Sequence, residues 1–230
     1  MLPCPLIQLP SSFLLAMATA LLPAISQAAA QRQQGRLKKA VSQSLLFTCV
    51  ASYGAAAFFV LYAEEICQLI YGDASLGAFL RPLGFLAPLS YLHITLNGIC
   101  NGLNQQKFSF FVHTASSLLS IACIYWGLPQ MGIMACFLSM VLSLCFSCGC
   151  FLVRFGRSDL LECPFSSFFL LPALALTLAY LVTRLLPAFS FPQGLQTLFC
   201  GGVFFLVYGL CLMLSGVLDE YLPALLRRKK

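Results

Sequence analysis

Charge is what this chain has least of. Asp, Glu, Lys and Arg make up 9% of its 230 residues, whereas a soluble domain carries about 25%. There are only 7 acidic residues, 2 histidines and 1 tryptophan. This scarcity excludes a water-soluble globular chain and leaves no soluble catalytic domain. A nucleotide-binding phosphate loop, Gly-x4-Gly-Lys-Ser/Thr, is missing too, because Gly77 is followed by Ala78 and Phe79. With no serine elbow and no intramembrane pair of acids, nucleophilic and metal-assisted catalysis lack their parts. Neither an enzyme nor a bound cofactor or metal is expected. Work done by such a chain must draw on an ion gradient, a membrane potential or a solute gradient.

What fills the chain instead is apolar: 60% of residues are hydrophobic and the mean hydropathy is +0.90. A segment needs about 20 apolar residues to cross roughly 30 Å of hydrocarbon, and it must be helical because lipid cannot satisfy backbone amides. Seven segments qualify, namely Leu6 to Ala30, Val41 to Ala63, Pro82 to Leu103, Phe108 to Leu128, Met131 to Val153, Phe165 to Leu186 and Leu195 to Gly216. The breaks between them are short and polar or rich in Pro and Gly, as helix ends should be. No linker is long enough to separate domains. Residues 1–230 are therefore expected to form one all-helical, polytopic transmembrane domain.

Cationic side chains in short loops stay on the cytoplasmic face, so their positions test the seven-span reading independently of hydropathy. If the first span runs from outside to inside, all but two of the 13 basic residues fall inside. These include Arg32, Arg36, Lys38, Lys39, Lys107, Arg154, Arg157 and the C-terminal Arg227 to Lys230. Arg81 and Arg184 are the exceptions. This places the N-terminus outside and the C-terminus in the cytoplasm of a cell-membrane protein. The net charge of +6 is thus read by position rather than as a sum, and no nucleic-acid partner is expected.

Polar residues within a span are costly unless they face a protein interior or a water-filled cavity. In the third span Ser90, His93, Asn97, Asn101 and Asn104 are separated by 3, 4, 4 and 3 residues, which confines them to one narrow helix face. Pro82 and Pro88 in the same span remove amides and predict a kink. The fourth span repeats the pattern with Ser109, His113, Ser116 and Ser120. The connection is short, so the two helices are expected to be antiparallel neighbours. Their stripes either line a shared polar passage or hydrogen-bond across a dry interface, and the sequence leaves both open.

Glu64 to Asp73 mixes acids with Ile66, Leu69 and Ile70 at helical spacing and reads as an interfacial amphipathic helix. Arg81 at a membrane edge snorkels by default; contact with a phosphate is the sharper reading. Of the 12 cysteines, the dense group Cys145-Phe-Ser-Cys148-Gly-Cys150 lacks a second ligand pair, so buried thiols rather than zinc are expected. Gly98 and Gly102, like Gly201, Gly202 and Gly209, read as close helix contacts.

Three stretches together resemble the multidrug/oligosaccharidyl-lipid/polysaccharide exporter superfamily, especially its stage V sporulation protein B-like branch and the lipid II flippases. They are Ala20-Leu-Leu-Pro23-Ala-Ile-Ser26 before a basic loop, Leu69-Ile-Tyr-Gly72, and Leu96-Asn97-Gly98-Ile-Cys-Asn101-Gly102-Leu103-Asn104 before Lys107. The resemblance implies a fold of about fourteen helices in two lobes that alternate access around a cavity. This chain then corresponds to the C-terminal portion, helices eight to fourteen, with the N-terminal lobe absent. Ala28-Ala29-Ala30 is similar to a signal-peptide cleavage site, but Met1 to Ser12 lacks a basic region, which favours the missing-lobe reading.

The resemblance further implies flipping or export of an undecaprenyl-linked saccharide, with membrane lipid around its tail near the last two spans. Ser90, His93, Asn97 and Asn101 would offer neutral hydrogen bonds to the saccharide or pyrophosphate, with Arg81 toward a phosphate. A cation-coupled multidrug exporter of the same superfamily is the alternative, although it needs a buried carboxylate that these spans lack. A noncatalytic membrane scaffold or inactive transporter fragment is the alternative from another class.

Overall fold

The computed structural model of the protein describes residues 25–28, 30–31, 33–157, 177, 181 and 193–214. The described elements are helical throughout. In chain order they are α1 (Gln34–Leu61), α2 (Ala63–Tyr71), a short 3-10 turn (Ala74–Leu76), α3 (Gly77–Gly102), α4 (Gln106–Met131), α5 (Ile133–Gly156) and α6 (Gln193–Leu214). Four stretches are long and apolar enough to cross a membrane: Gln34–Leu61, Ala74–Gly102, Gln106–Met131 and Met134–Gly156. They answer to the second to fifth expected spans, and α6 answers to the seventh. The first and sixth expected spans lie almost wholly outside the described residues.

Helix bounds differ from the hydropathy bounds for physical reasons. A helix of 28 residues such as α1 is about 42 Å long at 1.5 Å per residue, longer than the hydrocarbon it must cross. Hence α1 begins at Gln34 rather than Val41, carrying Arg36, Lys38 and Lys39 on turns that reach beyond the apolar stretch. At the other end of the scale, α4 continues through Pro129 to Met131. A proline in the last turn removes a single amide bond and does not end the helix there. Likewise α3 runs unbroken from Gly77 to Gly102 with Pro82 and Pro88 inside it.

The amphipathic segment forms α2 as expected. Glu64 and Glu65 occupy its first turn, where negative charge suits the helix dipole. Ala63, Ile66 and Cys67 are buried, while Leu69 and Ile70 are exposed beside the acids. Gly72 closes the helix in the left-handed region, φ 72°, and its amide donates to the Gln68 carbonyl, a conformation that favours glycine. Asp73 then caps the 3-10 turn by accepting from the Ser75 amide at 2.9 Å. Hydrogen bonds from the Ser75 side chain and backbone hold the Asp73 carboxyl below the usual carboxylate range.

The described helices belong to two compact units, and α1 and α3 each contribute to both. One unit joins residues 49–88 to α6. Its core is Phe204 and Tyr208, with Val50, Ala57, Phe58 and Leu61 packed against them. The Tyr208 hydroxyl donates to the Val50 carbonyl at 2.9 Å, and Phe58 meets Phe205 at 5.3 Å between ring centres. Helix α6 can approach α1 this closely because Gly54 has no side chain: a Cβ there would stand 2.9 Å from the Tyr208 ring. Gly201 on α6 answers it, since a Cβ at that position would stand 2.7 Å from the Phe58 ring, which supports the close-contact reading of that glycine. Gly54→Val is expected to destabilise the protein by about 2 kcal/mol through overpacking, read as a lower midpoint in SDS-induced unfolding. An unchanged midpoint would mean that Tyr208 simply swings away.

The other unit holds residues 33–48 and 89–157, and therefore the C-terminal half of α3 with all of α4 and α5. Its outward face is greasy: Phe110, Phe111, Tyr125 and Trp126 are 69–77% exposed. In water such a patch would drive aggregation. In a bilayer it is the ordinary solvent-facing surface, with Tyr125 and Trp126 suited to the interfacial belt.

Candidate functional site

Residues 103–105 are all that separates α3 from α4. Asn104 adopts φ 57°, and the Gln105 amide donates to the Cys100 carbonyl at 3.0 Å. A turn this tight makes the helices antiparallel neighbours and sets their register. Each step of four residues back along α3 should meet a step of four forward along α4. The contacts follow that rule. The Ser109 hydroxyl donates to Asn97 Oδ1, and four residues further from the turn His93 meets His113 edge-on, 5.2 Å between ring centres. The two polar stripes therefore face one another, and at Asn97 they hydrogen-bond directly.

Helix α5 closes this seam with aromatic rings. Phe151 is fully buried. Its ring lies 5.9 Å from His93, 6.4 Å from His113 and 5.8 Å from Phe108, with Phe155 stacked behind it at 6.3 Å. His93 is half-buried, and its Nε2 is enclosed without a hydrogen-bond partner among the described residues. A polar atom left this way costs free energy in the resting arrangement. A ligand or water able to reach it would recover that cost.

The expected site residues are therefore distributed as follows. Ser90, His93, Asn97 and Asn101 all lie in the C-terminal half of α3, and each is half-buried. Asn97 uses its carbonyl oxygen for Ser109, which leaves its amide N–H donors without a described partner. The Asn101 backbone carbonyl accepts from the Asn104 amide at 3.1 Å, while its side chain has no hydrogen bond among the described residues. Arg81 belongs to the other unit. There its Nη2 donates to Glu64 Oε1 at 2.8 Å, with both side chains about half exposed. One nitrogen of Arg81 thus pairs with the carboxylate on α2 while the side chain stays half exposed.

A second polar contact was not anticipated. The Thr48 hydroxyl donates to the Ser44 carbonyl at 2.9 Å, so Thr95 is the donor in its 2.7 Å bond to Thr48 Oγ1. This ties α1 to the face of α3 next to the stripe. The signal was present in the sequence as Ser44, Thr48 and Ser52, each four residues after the last, all now buried.

The same unit carries a groove of about 550 Å³ along α5, lined by Phe108, Cys145, Phe146, Gly149, Cys150, Val153, Arg154 and Arg157. The cysteine-dense segment contributes to it. Cys145, Cys148 and Cys150 are all free thiols, and Cys148 donates to the Leu89 carbonyl at 3.6 Å. No cluster of metal-binding side chains occurs among the described residues.

The arrangement offers neutral donors and acceptors and aromatic walls. Long apolar helices around a neutral polar seam define a multi-pass membrane protein. A family model described as MatE matches residues 5–126, just over half of the chain. The chain belongs to the MatE family, and so to the multidrug/oligosaccharidyl-lipid/polysaccharide superfamily, whose members are membrane transporters rather than catalysts. No curated protein sequence matches the chain.

Proposed function

We propose that the chain serves a transporter that flips a lipid-linked saccharide, such as an undecaprenyl-linked cell-wall or polysaccharide precursor, across the cell membrane by alternating access. The observation that carries this reading is the chemistry of the α3 seam. Its groups are neutral amides, imidazoles and hydroxyls, and no Asp or Glu stands in α1, α3, α4, α5 or α6. Sugar hydroxyls exchange hydrogen bonds readily with such groups. Cation-coupled export generally relies on a carboxylate within the membrane to bind and release the coupling ion. In the proposed cycle the Asn97 and Asn101 amides, with Ser90 and His93, take hydrogen bonds that the headgroup loses on leaving water. The lipid tail stays in the bilayer. An N-terminal lobe on the same or another chain completes the cavity, and the cationic loops hold the C-terminus in the cytoplasm.

The test is transport in reconstituted vesicles containing the full-length gene product. The proposal expects translocation of a fluorescent undecaprenyl-linked saccharide and no cation-driven efflux of a lipophilic drug. Drug efflux with no saccharide movement would overturn it in favour of the multidrug exporter. Neither activity would favour the scaffold.

A further inference from the structure

The groove along α5 has a composition that the saccharide path does not use. Its walls are apolar, formed by Phe108, Phe146 and Val153 with the thiols of Cys145 and Cys150, and one end carries Arg154 and Arg157. Its 550 Å³ falls within the range of small-molecule sites, about 300–1,000 Å³. A lone arginine at a helix end needs no ligand, since snorkelling explains it. Here, however, two guanidiniums are set three residues apart over one slot, and no carboxylate is among its described lining residues. Arg154 is also held in place: its Nε donates to Gln105 Oε1 at 3.2 Å, and its guanidinium lies 5.7 Å from the centre of the Phe108 ring. An oriented guanidinium suits a phosphate, which it can bind through two parallel hydrogen bonds. Gly149 forms the floor, and a Cβ built on it would meet nothing within 4 Å. A chain can therefore lie close to the helix backbone at that point.

We propose that this groove is a binding site for an anionic phospholipid, with its phosphate on Arg154 and Arg157 and an acyl chain lying over Gly149 between Phe146 and Val153. Charge complementarity and an apolar trough ending in two cations identify this occupant. The site does not depend on which solute the transporter moves.

The test is native mass spectrometry of the full chain in detergent micelles, titrated with phosphatidylglycerol or with phosphatidylcholine. Wild type is expected to bind phosphatidylglycerol at least five-fold more tightly. R154Q/R157Q should bring the two lipids to equal affinity. G149F places a ring over the slot at a position where a Cβ meets nothing within 4 Å and keeps both arginines; it should weaken binding of both lipids at least five-fold. R36Q/K39Q removes two cations that do not line the groove and should leave the preference intact. The proposal is overturned if R154Q/R157Q retains the preference, if G149F binds as wild type does, or if R36Q/K39Q abolishes the preference as fully as the groove variant.

Discussion

Phe151→Ala is expected to cost about 3 kcal/mol of stability, the largest effect of any single truncation in the unit built from α3, α4 and α5. The ring is fully buried and touches Phe108 and His113 on α4, His93 on α3 and Phe155 on its own helix. In a bilayer the separated helices are as well solvated by lipid tails as by each other, so the transfer contribution to this cost is small. What remains is the lost dispersion with neighbours on three helices, which cannot collapse into the space together. The measurement is the midpoint of SDS-induced unfolding in mixed micelles. Phe151→Leu, which keeps most of the volume, should lose about 1 kcal/mol. A loss below that for the alanine variant would mean that the seam closes without the ring.

Asn97→Leu should show the opposite balance, with a small effect on folding and a large one on transport. Leucine keeps the branching and heavy-atom count of asparagine, with two bulkier methyl groups in place of the amide oxygen and nitrogen. Ser109 can turn its hydroxyl to a backbone carbonyl of the preceding turn, and an interhelical hydrogen bond in a membrane is worth only about 0.6 kcal/mol on average. Transport is expected to fall at least ten-fold, which corresponds to about 1.4 kcal/mol of barrier, because the amide that exchanges hydrogen bonds with the headgroup is gone. Ser109→Ala removes the same Asn97–Ser109 bond but leaves the amide. It should therefore retain most transport in the vesicle assay. Equal loss in the two variants would mean that the bond matters only for holding α3 to α4.

How much of this was legible beforehand depended on whether a feature is local. The second to fifth spans and the amphipathic helix at Glu64 follow from composition and periodicity, which act within one segment. The facing of the α3 and α4 stripes was also readable, because three connecting residues leave antiparallel packing as the only arrangement. That Ser109 stands opposite Asn97 needed the register. The Arg81–Glu64 pair was hidden because it depends on the Gly72 cap and the 3-10 turn bringing α3 back over α2. Phe151 was hidden for another reason. A phenylalanine in an apolar span gives no sign of whether it is left exposed, as Phe110 is, or turned to the centre of the seam. Helix ends were misplaced where the chain outruns the hydrocarbon, as at Gln34, or carries proline through its last turn, as at Pro129.

The central claim is that the α3 face bearing Asn97 and Asn101 opens to water during the cycle. The most direct test places single cysteines at positions 101 and 99 of a chain whose native cysteines have been replaced, and measures their reaction with a membrane-impermeant maleimide in vesicles. Asn101→Cys should react at least ten-fold faster than Ile99→Cys, which replaces a buried side chain, and added lipid-linked saccharide should slow it. Equal, slow labelling at both positions would contradict the account and leave the polar seam as a dry helix contact.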